Sequence, residues 1–180
     1  MSKSRIVFSG TGGQGVITAA IIIAESAVLH ENLNAVQTQA YGPEARGGAA
    51  RSDVIISNSE IFFPKVNQPN YLVCLSQQAY NKYSSIIRPG GTLMVDSRYV
   101  KTHKKVDANQ VELPMYMRVK EKIGNPIVLN ICMLGAFIEI TGLVRKESIL
   151  KLLESRIPKD FLDMNKKALE LGINLGLSVK

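Results

Sequence analysis

The sequence is poor in residues that do chemistry by themselves. Among 180 residues there are two histidines, two cysteines and no tryptophan. There is no Cys-x-x-Cys pair and no four-cysteine run of the kind an iron–sulfur cluster needs. No cluster has metal-ligand spacing, and the Gly-x-Ser-x-Gly and His-Glu-x-x-His signatures are missing. His30 falls at the end of a helical stretch and His103 in a lysine cluster, neither with a Ser, Cys or carboxylate partner at short range. No catalytic residue and no metal ligand is therefore assigned to this chain. Cys74 and Cys132 lie far apart in apolar surroundings and read as small core residues in a reducing compartment. Long hydrophobic runs are lacking too. The longest, residues 16–24 and 127–140, fall short of the roughly 20 that span a bilayer. The start, polar through Arg5, is not a signal peptide. The expectation is a cytoplasmic protein without a membrane partner.

What is present is an ordinary globular composition, 46% apolar and 21% charged, with a net charge of +7. The positive balance points to acidic ligands or partners. The basic residues are dispersed except for Lys101, His103, Lys104 and Lys105, which read as a solvated loop. No helix-turn-helix, zinc-finger or RNP signature accompanies them, so nucleic acid is not the expected partner.

Apolar strand runs alternate with helical stretches. Residues 5–9 form a first strand, and residues 15–31 a helix apolar nearly all round, with Asn34 as its breaker. Strands follow at 35–38, 53–57, 71–75 and 92–96, with an edge strand at 106–113 and a short helix near 77–87. From Met115 the chain reads as helical. One helix opens at Pro126 and stops at Gly142, another covers 146–155, and a last one carries a stripe of Phe161, Met164, Ala168, Leu171 and Leu175. The pattern predicts one α/β domain over residues 1–180. Its sheet is open, mostly parallel and Rossmann-like, with helices on both faces and a helical C-terminal third.

Gly10-Thr11-Gly12-Gly13-Gln14-Gly15 follows a strand, opens a helix and fits G-x-G-x-x-G in the required context. Glycines permit the turn and a close ligand approach, and a helix start offers unpaired N–H groups to an anion. Gly12 and Gly15 are expected where crowding or positive φ excludes a side chain. Two elements of complete nucleotide sites are missing. No acidic residue ends the second strand, where an NAD ribose would want one, and Glu31 comes too early; no Lys-Ser or Lys-Thr pair follows the glycines. A helix end contributes about 0.3–1 kcal/mol to an anion, and up to about 2 when partly buried. A millimolar site needs about 4. The loop binds an anion with help from another loop or chain, or it is only a tight strand–helix turn.

A second unusual segment, residues 39–53, lies at the carboxyl end of the second strand, the ligand side of an open α/β sheet. Within it Arg46 is flanked by small residues, suited to bidentate contact with a carboxylate or phosphate; the alternative is a surface pair with Glu44. Gly10-Thr11-Gly12-Gly13-Gln14-Gly15-Val16 together with Tyr41-Gly42-Pro43-Glu44-Ala45-Arg46-Gly47-Gly48 closely resembles the gamma subunit of 2-oxoacid:ferredoxin oxidoreductases, over essentially the whole chain. The second loop, followed by residues 52–57, looks most like the 2-oxoglutarate branch; pyruvate and branched-chain substrates are the alternatives.

The resemblance implies a hetero-oligomeric enzyme that decarboxylates a 2-oxoacid on thiamine diphosphate, passes electrons through iron–sulfur clusters to ferredoxin and releases an acyl-CoA. Thiamine diphosphate, Mg2+ and the clusters are then expected on alpha, beta and delta partners. The present chain supports assembly, with Gly10, Gly12, Gly13, Gln14, Gly15, Tyr41, Gly42, Arg46 and Gly47 as candidate CoA-contacting or interface residues. Two other readings stand beside it: a stand-alone nucleotide- or phosphate-binding regulatory module, and a charge-driven nucleic-acid binder.

Overall fold

The protein is described from a computed structural model, which covers residues 3–40, 48–103 and 105–180. Strands β1 (Ser4–Thr11), β2 (Asn34–Ala40), β3 (Ala49–Ser57), β4 (Tyr71–Cys74), β5 (Gly91–Asp96) and β6 (Ala108–Leu113) form one sheet, in the order β2-β3-β1-β4-β5-β6. β4 pairs in parallel with β1 and β5, and β6 in parallel with β5. β3 alone runs the other way, antiparallel to both β1 and β2. The expected parallel sheet therefore holds for five of these six strands, with one departure from a Rossmann arrangement: the second strand does not lie beside the first. β3 returns between them, in register from Ser4↔Ile56 to Thr11↔Ala49.

Strand side chains alternate between two cores. Ile6, Phe8, Val54, Ile56, Val73 and Met94 face one side. Val7, Ile55, Leu72, Cys74, Leu93 and Val95 face the other, where Ala79 and Tyr80 of helix α2 (Gln77–Tyr83) cover them. Both faces of the central strands are buried, which is why they read as continuous apolar runs.

Helix α1 (Val16–His30) lies on the first face. It ends before the expected breaker: Asn32 already takes a left-handed φ of 54°, and Asn34 opens β2. Helices α3 (Met115–Lys122), α4 (Leu129–Thr141), α5 (Lys146–Arg156) and α6 (Lys159–Leu177) form the helical C-terminal third. Pro126 opens a short 3-10 turn rather than α4 itself, and Gly142 caps α4 in the left-handed conformation at φ 63°. Phe137 of α4 packs edge-on against Phe8 and Tyr71, at ring separations of 5.1 and 5.7 Å, and so seats α4 on β1 and β4.

The other side of α4 is covered by α6. Of the expected stripe Ala168 is buried and Met164, Leu171 and Leu175 pack against the core, while Phe161 is 55% exposed; Leu169, Gly172, Ile173 and Gly176 complete the buried face. Small residues decide the seam. A Cβ on Gly172 would land on the Cys132 carbonyl oxygen, and one on Gly135 on the Leu169 carbonyl oxygen. The helices touch backbone to backbone. In an ordinary helix interior Gly→Ala gains about 0.5–1 kcal/mol. Here Gly172→Ala is expected to lose about 1–3 kcal/mol through overpacking, lowering Tm by about 2–4 °C per kcal/mol for a chain of this size. Thermal and denaturant unfolding check the sign.

Candidate functional site at the carboxyl end of the sheet

The glycine motif bridges the end of β1 and the start of α1. Gly10 and Thr11 are the last residues of the strand, Gly12 and Gly13 make the turn, and Gly15 caps the helix. Three of the glycines have distinct structural reasons. A Cβ on Gly10 would sit 2.5 Å from Gln14 Oε1. Gly13 has φ 89°. Gly15 has φ 70°, and a Cβ there would come within 2.6 Å of Asn130 Nδ2 on α4. Gly12 is different: its φ is not in the left-handed range and nothing lies within 4 Å of its Cβ position. The expectation of crowding or positive φ thus holds for Gly15 and is corrected for Gly12, whose Cβ position meets no atom of the described residues.

Gln14 straps the turn. Its Oε1 accepts the Thr11 N–H at 2.8 Å, and its Nε2 donates to the Leu75 carbonyl at the end of β4 at 3.0 Å. Both polar ends of this side chain hold the loop's shape. Asn130 Nδ2 donates to the Gly15 carbonyl at 3.4 Å, tying the loop to α4. Among the described residues the first turn of α1 has no side-chain cap and no acidic residue, which leaves its N–H groups, with their partial positive charge, without a side-chain partner.

Beside the loop lies a cleft of about 250 Å3, lined by Gly13, Gln14, Tyr99, Tyr116, Pro126, Ile127 and Leu129. The Tyr99 and Tyr116 rings meet edge-on at 4.9 Å. Burial, with the hydrogen bond and charge of Tyr116, pushes the Tyr99 phenol up to about 12, so it stays neutral near pH 7. Beneath them Asp96, at the end of β5, is fully buried. Its carboxyl accepts the Arg98 N–H at 2.9 Å and the Tyr116 N–H at 2.7 Å. The sequence reading missed these residues; the available signal was an aspartate at a strand's carboxyl end with a tyrosine three residues on.

Tyr41, Gly42, Arg46 and Gly47 lie outside the described residues. The strands that flank them are placed. β2 runs in the direction of β1, and Ala49, the first residue of β3, pairs with Thr11, so the connection leaves and re-enters the sheet beside the glycine loop. Arg51, just beyond, is engaged internally, pairing with Asp53 at 2.6 Å and donating to the Val66 carbonyl at 2.7 Å. Glu31 is also engaged, holding Arg145 at 2.9 Å and Ser148 at 2.5 Å, far from the position of a ribose-binding acid at the end of β2.

The arrangement offers N–H donors and an aromatic cleft. Burial pushes both thiols up to about 12, at Cys74 and at Cys132, which also lies near Asp96. Among the described residues no group of His, Cys, Asp or Glu could hold a metal ion, and no helix is long and apolar enough to cross a membrane.

These features define an α/β protein with a glycine loop at a strand–helix junction beside an aromatic cleft. The chain belongs to the pyruvate ferredoxin/flavodoxin oxidoreductase family, whose profile matches residues 5–175. It is 47% identical to the 2-oxoglutarate synthase subunit KorC of Methanocaldococcus jannaschii, over 94% of this chain and 92% of that one. Its fold matches the gamma subunit of the keto/oxoacid ferredoxin oxidoreductase from Geobacter sulfurreducens PCA with a TM-score of 0.91 at 39% identity, covering 99% and 98% of the two chains. It is 31% identical to the ketoisovalerate oxidoreductase subunit VorA of Methanothermobacter marburgensis, over 93% of this chain but only 35% of that longer one.

Asp96 generates a pH prediction. Burial raises its pKa above the ordinary 3.8, and the backbone N–H bonds from Tyr116, Arg98 and Tyr99 pull down without cancelling it. A carboxyl raised on folding contributes stability that is full below the unfolded pKa and is lost as pH rises through the folded value. The stability advantage of wild type over Asp96→Asn should therefore be full below about pH 3.8 and shrink as pH rises above it. Urea titrations of both proteins across that range check it; an advantage that grows with pH contradicts the assignment.

Proposed function

We propose that this chain is the gamma-type subunit of a thiamine diphosphate-dependent 2-oxoglutarate:ferredoxin oxidoreductase, acting as one cytoplasmic domain over residues 1–180. The whole enzyme would take 2-oxoglutarate, CoA and oxidised ferredoxin to succinyl-CoA, CO2 and reduced ferredoxin. The observation that carries this is the nearly end-to-end 47% identity to a 2-oxoglutarate synthase subunit, against 31% to a ketoisovalerate enzyme's subunit. The alpha, beta and delta partners would hold thiamine diphosphate, Mg2+ and the iron–sulfur clusters. The residues here do not fit those groups: both cysteines are buried, and the described carboxylates form no ligand cluster.

CoA fits better. Its phosphates suit the N–H groups of the α1 start, and the cleft beside them carries apolar and phenolic walls. In this reading Gly10, Gly13, Gln14 and Gly15 shape the loop, Gly12 leaves the approach open, and Arg46, with Tyr41, Gly42 and Gly47, supplies the charge that the loop lacks.

Reconstitution tests the reading. Dye reduction dependent on 2-oxoglutarate and CoA should need this chain together with its alpha and beta partners. Full activity without it, or activity from it alone, contradicts the proposal.

Two variants test the loops. Gly12→Val should fold with unchanged Tm, because its side chain meets open space, yet raise the KM for CoA or weaken assembly; normal turnover makes the loop a mere turn. Arg46→Ala should cost about 1.5–3 kcal/mol, the value of a charge-assisted hydrogen bond, or roughly 10- to 150-fold in the KM for CoA or in assembly affinity. Arg46→Lys should recover only part of the loss.

A further inference from the structure

The opposite end of the sheet carries a second surface. A cleft of about 740 Å3 is lined by Arg5, Phe63, Lys65, Asn67, Gln68, Arg88 and Pro89. Arg5 is near the amino end of β1, residues 67–70 lead into β4, and residues 88–90 lead into β5. Arg5 is seven residues from Gly12 along an extended strand, about 23 Å at 3.3 Å per residue, so the glycine loop and its ligand are out of reach. Lys65 and Arg88 are exposed, and no ion pair engages Arg5, Lys65 or Arg88 among the described residues. Among the described residues no carboxylate lines the cleft.

Its walls are tied to the sheet. The Asn70 N–H donates to the Arg5 carbonyl at 2.7 Å, and Asn70 Oδ1 accepts the Arg5 N–H at 2.9 Å. The Arg88 N–H donates to the Pro69 carbonyl at 3.1 Å, and the Gly91 N–H to the Arg88 carbonyl at 3.0 Å. The cations thus stand on hydrogen-bonded backbone beside an aromatic side chain that water does not favour: Phe63 is 65% exposed and its neighbour Phe62 85%.

We propose that this cleft docks an acidic, partly apolar segment of another subunit, seating its carboxylates on Arg5, Lys65 and Arg88 and an apolar side chain on Phe63. The inference rests on the subunit reading above and deepens it. Charge complementarity selects the partner's sign, and the pairing of exposed phenylalanine with arginine is the composition of interface anchors. A small phosphate ligand is disfavoured because phosphate cradles use free backbone N–H groups. Among the lining residues the N–H groups of Arg5 and Arg88 are already taken, by Asn70 Oδ1 and the Pro69 carbonyl, and Pro89 has none.

The test is assembly of the full chain with its purified alpha and beta partners, for wild type, Lys65→Glu/Arg88→Glu and Phe63→Ser. All three substituted side chains are exposed, so Tm should not move. The reversal should raise the assembly Kd at least tenfold near 0.1 M salt, with the gap closing as salt screens the charges. Phe63→Ser should weaken assembly with little salt dependence. An acidic-to-lysine change on the partner should rescue the reversal. Wild-type affinity in both variants overturns this proposal and leaves the subunit reading intact. Failure of wild type to assemble at all overturns the subunit reading itself. Inorganic pyrophosphate or a labelled single-stranded oligonucleotide bound by wild type and lost in the reversal, with assembly unchanged, overturns the proposal in favour of that ligand.

Discussion

Helix α4 has no face that tolerates water, and much of the molecule follows from covering it. Ten consecutive residues, Leu129 to Ile138, are buried. The sheet covers one side through Phe137 on Phe8 and Tyr71, and α6 covers the other through a glycine and alanine seam. A helix held so closely between two layers has little freedom to rotate or slide. That fixes its first turn, from which Asn130 reaches the Gly15 carbonyl. The position of the glycine loop is thereby coupled to packing deep in the C-terminal third.

The loop itself shows how a binding element can be well formed and still insufficient. Gln14 and Asn130 stabilise its shape from within, Gly13 and Gly15 supply its left-handed turns, and the helix start is left uncapped. A helix end contributes at most about 2 kcal/mol to an anion, roughly half of what a millimolar site requires. An anion seated there would need the rest from the 41–47 connection or from another chain. The two ends of the sheet differ in kind: a helix start and tyrosines at the carboxyl end, and at the amino end exposed phenylalanines with cations that no ion pair engages among the described residues.

Much was legible in the sequence because it depends on local pattern. Apolar runs between glycine and proline punctuation located each strand to within a few residues, and Gly142 marked the end of α4. The paired motifs Gly10–Val16 and Tyr41–Gly48 pointed to the family. Other features were not legible, for reasons of contact. On α6 the apolar stripe from Met164 to Leu175 marks the core side, but backbone-to-backbone packing adds small residues to it that no apolar pattern shows, so Gly172 and Gly176 are inside and Phe161 is outside. Asp96 and the tyrosines Tyr99 and Tyr116 are spread over twenty-one residues and meet only because β5 ends beside the start of α3.

The sequence by itself determined the elements, the two-sided burial of the central strands and the glycine loop at a strand–helix junction. These follow from periodicity, backbone preference and residue chemistry, which act over a few positions. Tertiary structure alone decided that β3 returns antiparallel between β1 and β2, that Gly12 faces open space while Gly15 is crowded by Asn130, and that Arg5, Lys65 and Arg88 share one cleft. Strand direction and side-chain convergence are set by which surfaces bury one another across 60 or more residues of chain, as between Arg5 and Asn70, and no local pattern encodes that.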